Sequence, residues 1–202
     1  MNRLLQTLKT KKCSLIASLP ENTYELAKLA WESGVDAIKV HVNVFHYASQ
    51  NTFGKLDTMR PVFEQIIKDS PVPVGIVAGG DTESAEAILD ELAEIGFDFI
   101  SLYAHHTPAS FFLNHKMNNF LSISSAYCLA EIQSILDGGY ADMLELSVVD
   151  REEYGKRLNA RDLAKYRAIS NLSSVPTVLP TQKLIMPSDV KVIHQTDRKS
   201  VV

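Results

Sequence analysis

From Cys13 onward, short runs of apolar and β-branched residues alternate with stretches whose apolar residues recur at helical spacing. Nearly every switch between the two carries a turn or capping signal. The pattern predicts strands near 13–19, 37–43, 72–78, 97–104, 119–125, 141–149 and 175–180. Helices are expected between them near 21–34, 59–69, 82–95, 108–117, 127–138 and 159–173, with a last one near 187–195. In the first of these, Tyr24, Ala27, Leu29, Ala30 and Trp31 form an apolar face and Gly34 supplies the stop. The segment from Thr82 to Ile95 repeats the design with Ala85, Ile88, Leu89 and Leu92, followed by Gly96. Upstream, Leu4, Leu5 and Leu8 fall at helical spacing among Arg3, Lys9, Lys11 and Lys12, which predicts a short helix beneath the first strand.

Strand–helix units repeating every roughly 25–30 residues, each strand parallel to the last by a right-handed crossover, fit a (β/α)8 (TIM) barrel better than a doubly wound sheet. No G-x-G-x-x-G follows any strand. An internal repeat supports the barrel more directly. Gly34-Val35-Asp36-Ala37-Ile38-Lys39-Val40-His41, Gly96-Phe97-Asp98-Phe99-Ile100-Ser101-Leu102-Tyr103 and Tyr140-Ala141-Asp142-Met143-Leu144-Glu145-Leu146-Ser147 share an Asp at the strand start and then alternating side chains. Successive strand residues point to opposite faces, so Ile38, Val40 and Val42 meet the helices while Lys39, His41 and Asn43 face the lumen. With the Asp marking equal height, Lys39, Ser101 and Glu145 share one layer, and His41, Tyr103 and Ser147 lie one layer nearer the C-terminal mouth.

The pattern yields seven parallel strands and no eighth, so the expectation is one domain, residues 1–196, forming an incomplete barrel. The last six residues, DRKSVV, are what the adapter read GAT CGG AAG AGC GTC GTG TAG encodes before its stop, so 197–202 are expected to be a non-native tail. Composition narrows the partners. Lys and Arg number 20 against 24 Asp and Glu, a formal charge of -4, which gives no general attraction for nucleic acid. No apolar stretch approaches the roughly 20 residues that span a bilayer. Two cysteines, Cys13 and Cys128, are too few for a disulfide framework and lack zinc spacing, which suits a reducing cytoplasm. Homo-oligomerisation is left open.

Lys39 is the sharpest chemical signal. An ammonium in a packed lumen must be paired, neutralised or useful, as an acid/base or as an amine nucleophile. Glu145, at the same height opposite it, is expected as its partner in proton transfer, and His41 as a group that moves a proton or polarises substrate. Asn43, Ser101, Tyr103, His105, Ser147 and Lys183 are candidate substrate contacts. The long segment after the second strand, carrying Asn43, His46, Ser49, Asn51 and Lys55, reads as a lid or binding loop. Gly79-Gly80-Asp81-Thr82 offers either a cradle of amides for an anion or a tight turn with Asp81 or Thr82 as N-cap.

The G-x-D-x-apolar-x strand starts and the order of units over about residues 12–196 resemble the phosphate-binding (β/α)8 barrels, the group containing ribulose-phosphate 3-epimerase and the tryptophan synthase α chain. The resemblance implies that side chains three and five places after the Asp of the second strand, here Lys39 and His41, take part in acid/base chemistry or metal binding. His41 stands where the epimerase has a metal-binding carboxylate, and Val149-Asp150-Arg151-Glu152-Glu153 replaces its Asn-Pro-Gly-Phe-Gly run. Neither a metal nor another cofactor is expected. The implied activity is proton transfer next to a carbonyl of a small phosphorylated metabolite by an isomerase, epimerase or lyase. The alternatives are a Schiff-base aldolase using Lys39, and a non-catalytic ligand-binding barrel or inert fragment.

Overall fold

The computed structural model describes residues 3–113 and 117–196; the expected tail at 197–202 lies outside them. Seven strands form a single parallel sheet in the order β1 (Ile16–Ser18), β2 (Ala37–His41), β5 (Val74–Val77), β6 (Phe99–Tyr103), β7 (Asn118–Ser124), β8 (Met143–Ser147) and β9 (Thr177–Val178). The intervening strands β3 (Val44–His46) and β4 (Asn51–Phe53) make an antiparallel hairpin after β2, where the sequence predicts an irregular loop. The sheet is curled and open, an incomplete (β/α)8 barrel.

Helices α2 (Tyr24–Glu32), α3 (Leu56–Asp69), α6 (Leu129–Asp137), α7 (Ala160–Leu172) and α8 (Pro187–Thr196) lie where the periodicity puts them. The helix expected at 82–95 is two, α4 (Thr82–Glu86) and α5 (Leu89–Ile95), because Ile88 takes φ −120°, ψ 0° and breaks the ladder. Where a helix is expected at 108–117, the structure has a 3-10 turn, Ala109–Leu113, and 114–116 lie outside the described residues. Ile38, Val40 and Val42 pack on Ala27, Phe63 and Ile66 of α2 and α3, as the alternation along β2 requires.

Helix α1 (Arg3–Thr10) closes the lower end of the lumen. Its Leu4 and Leu8 cluster with Ala37, Phe99, Phe120, Met143 and Val178, burial that stabilises by about 1.5–3 kcal/mol per leucine. Gly75 on β5 is required by this packing, because a Cβ there would fall 2.1 Å from the Phe99 ring.

The repeated Asp has a structural purpose. Asp36 accepts the backbone N–H of Leu15 at 2.8 Å and returns its own N–H to the Leu15 carbonyl at 2.7 Å. Asp98 makes the same two-point clamp on Val74, at 2.9 and 2.8 Å, and Asp142 on Asn119, at 2.9 and 3.0 Å. Each clamp fixes the register of one strand pair at its N-terminal end. Arg3 adds a forked bond to Asp98, at 3.0 and 2.8 Å, and Lys11 an ion pair to Asp36, which tie α1 to the clamps.

Candidate active site

Three strands separate β2 from β8, a span of about 19 Å in a flat sheet. Yet Lys39 Nζ lies 2.6 Å from Glu145 Oε2, so curling brings the two across the lumen. Lys39 also donates to Ser101 Oγ at 3.5 Å and sits 5.4 Å over the Phe120 ring. Both charged side chains keep about a tenth of their surface exposed, 11% and 10%, above an apolar floor. An ammonium and a carboxylate in this contact can pass a proton in either direction.

A chain of neutral donors and acceptors leads from Glu145 toward the mouth. Ser147 Oγ donates to Glu145 Oε1 at 3.3 Å and accepts from Gln182 Nε2 at 3.4 Å. Gln182 donates to the Tyr154 hydroxyl at 2.6 Å and accepts the Val149 N–H at 3.3 Å. Tyr103 also bonds to Ser147; burial pushes the Tyr103 phenol up, against the pull of that bond. His105 stacks on Tyr103 at 5.2 Å and is exposed, with Nδ1 2.5 Å from the Tyr127 hydroxyl. Burial lowers the His105 pKa, and burial with the neighbouring His105 lowers that of His106.

Several expectations change. His41 is fully buried beneath the hairpin, stacked on Phe53 at 4.6 Å and His46 at 4.4 Å, with Nε2 3.2 Å from Ser18 Oγ. Burial, then His46 and Lys39, push its pKa down to about 2, which favours the neutral ring near neutral pH, packed under the hairpin. Asn43 takes φ +51°, where its N–H reaches the Gly54 carbonyl and its carbonyl accepts from Gly80, so it serves as a turn between β2 and the hairpin. That use of the Gly80 amide, with Asp81 Oδ1 capping Ser84 N at 2.8 Å, makes 79–82 a tight turn instead of an anion cradle. Lys183 is neither solvated nor open to a phosphate. Its side chain is 1% exposed and pairs with Glu153 at 3.1 Å and Asp162 at 3.4 Å.

The hairpin is held from outside at two points and braced by one bond within it. Asn51 Nδ2 donates to the Pro20 carbonyl at 2.7 Å, and His46 Nδ1 lies 2.8 Å from Ser49 Oγ. At the tip, Arg151 lies 3.8 Å over the Tyr47 ring and donates to its hydroxyl at 2.7 Å. Asn22 brackets the His41 backbone below, at 2.6 and 3.1 Å. Lys55 precedes α3 as its exposed N-cap residue. Gln182, Tyr154, Asn22, Ser18 and the Tyr47–Arg151 contact are absent from the sequence-based candidates. Of these, only the replaced run at 149–153 hinted that Arg151 occupies the mouth.

Among the described residues no group of three or more His, Cys, Asp or Glu is arranged to hold a metal ion. No helix among them is long and apolar enough to cross a membrane.

Fold and site together define a (β/α)8-barrel architecture with an ion pair in its lumen. Solved structures of the same fold include the YdjI aldolase from Escherichia coli K12, 13% identical with a TM-score of 0.65 over 100% of this chain and 78% of that one. Others are a mutant tryptophan synthase alpha-subunit from Pyrococcus furiosus (14%, 0.66, 94% and 86%) and an Aquifex aeolicus VF5 protein (15%, 0.71, 100% and 88%). At such identities the likeness concerns the fold alone. Neither a protein-family model nor a curated protein matches the sequence.

Proposed function

We propose that the chain is a (β/α)8-barrel enzyme that transfers a proton next to a carbonyl group of a small phosphorylated metabolite, as an isomerase, epimerase or lyase. The observation that carries this reading is the Lys39–Glu145 pair at 2.6 Å, buried across the lumen yet still partly open. In this scheme one member removes the proton from carbon and the other delivers it, while Ser101, Tyr103 and Ser147 orient the substrate oxygens. Tyr103 acts as a donor, since burial keeps its phenol protonated. Aldolase and tryptophan synthase alpha-subunit are the names of neighbours with this fold, which fits a lyase or isomerase site at the strand ends.

The test is deuterium incorporation from heavy water into triose, tetrose and pentose phosphates, followed by proton NMR. Exchange at the carbon next to the carbonyl is expected, falling by about 100-fold or more in both Lys39→Met and Glu145→Gln. No exchange with any of these sugars, or exchange indifferent to both substitutions, overturns the proposal. The same pair suits imine chemistry, because Glu145 is placed to take the proton that Lys39 must lose before attacking a carbonyl. A borohydride-trapped adduct on Lys39 would assign the aldolase reading instead.

A further inference from the structure

The reading above leaves the phosphate without a holder. Most cations in the lumen and around its mouth near β8 are committed: Lys39 of β2 to Glu145, Lys156 to Glu153, and Lys183 to Glu153 and Asp162. Lys165 donates to the Val148 carbonyl at 2.9 Å. Arg151 differs. Among the described residues its partners are the Tyr47 ring and hydroxyl, and no carboxylate pairs with it despite Asp150, Glu152 and Glu153 beside it in sequence. Its guanidinium plane is set by stacking and one Nη1 bond, so the remaining donors stay in the fork geometry that matches an oxyanion. It follows β8 by four residues past Ser147, on the loop above Glu145. Its charge also reaches inward, lowering the phenol pKa of both Tyr103 and Tyr154 against the rise that burial causes.

We propose that Arg151, braced by Tyr47 of the lid hairpin, binds the oxyanion group of the substrate at the mouth. The inference rests on the proposed function and deepens it by placing the phosphate end over β8 and the reacting carbons below, between Lys39 and Glu145. Tyr47 makes the anchor part of the lid, so an anion on the fork also holds the hairpin down over the lumen.

Titrating the whole protein with inorganic phosphate by calorimetry, with the Arg151 side-chain N–H signal of the wild type locating the bound ion, tests the anchor without turnover. Saturable binding is expected, weakened about tenfold or more in Arg151→Met and less in Arg151→Lys, which keeps charge but loses the fork. Tyr47→Phe keeps the ring and is expected to weaken binding by about threefold or less. Arg151 is exposed, so these variants should unfold at the wild-type temperature. Phosphate affinity read by calorimetry that is unchanged in Arg151→Met overturns the anchor. Proton exchange that needs Lys39 but keeps its wild-type KM for sugar phosphates in Arg151→Met also overturns it, with the enzyme reading intact. Phosphate held by Arg151 with no exchange in any sugar phosphate supports the anchor and removes the enzyme reading.

Discussion

At the N-terminal ends of the strands, charged side chains serve the backbone. Asp36, Asp98 and Asp142 each accept a strand N–H, and Arg3 and Lys11 fasten the closing helix to two of them. At the C-terminal ends, charged and polar side chains serve one another. Lys39 meets Glu145, Ser147 meets Gln182, and Arg151 meets Tyr47 on a hairpin that belongs to no sheet neighbour. The first arrangement repeats along the chain and leaves its carboxylates occupied. The second occurs once and keeps part of the pair exposed, so a ligand can compete for its groups.

The comparison predicts that substitutions below cost stability and substitutions above cost little. Gly75→Ala is the largest case, because the new methyl would lie 2.1 Å from the fully buried Phe99 ring. A loss of about 2–3 kcal/mol is expected in urea unfolding. Its counterpart at the mouth, Gly80→Ala, meets only Val44 at 3.7 Å and the Asn43 carbonyl at 3.8 Å, and should change stability by less than about 0.5 kcal/mol. Equal losses at the two glycines would break the contrast. Next is Asp98→Ala, which strands the Val74 N–H and frees Arg3, at a cost of about 2 kcal/mol. Faster amide exchange at Val74 identifies the clamp as the cause, whereas an unchanged Val74 amide would show that it carries no load.

The lower end was far more legible in the sequence than the mouth. Period-two alternation allows one face assignment per strand, so the inward side of Lys39 and Glu145 followed from Ile38, Val40, Leu144 and Leu146. The shared Asp was visible as a height marker, though its clamp on the preceding strand was not, since a backbone partner leaves no trace in side-chain pattern. The mouth depends on contacts between distant segments. Tyr47 and Arg151 are 104 positions apart, and Lys183 finds Glu153 30 positions away. Neither separation carries a periodic signal. The hairpin was hidden for another reason: its tip turns on Gln50 at positive φ, a residue that rarely marks such a turn, although Asn43, where the chain leaves β2, is of a type that favours one.

A pH-dependent effect sharpens the contrast within the mouth, where His41 is a polar group given over to packing. Its ring is buried against Phe53 and His46, and its charged form is disfavoured first by that burial and then by His46 and Lys39 nearby. The folded pKa is about 2, while the unfolded ring has the ordinary value near 6.5. Above pH 6.5 neither state takes up a proton, and the stability is fully present. Below it the unfolded chain binds a proton that the folded chain refuses, so stability falls as the pH drops from about 6.5 toward 2. Between pH 7 and pH 5 the expected loss from this ring is about 2 kcal/mol, with His46, also lowered by burial, adding in the same direction. Urea unfolding of wild type and His41→Gln at pH 7, 6 and 5 measures it. The variant starts less stable, having lost the stack, but its stability should fall less steeply with acidity. Parallel slopes would mean that His41 takes up its proton in the folded protein, which would return it to the list of groups able to move one.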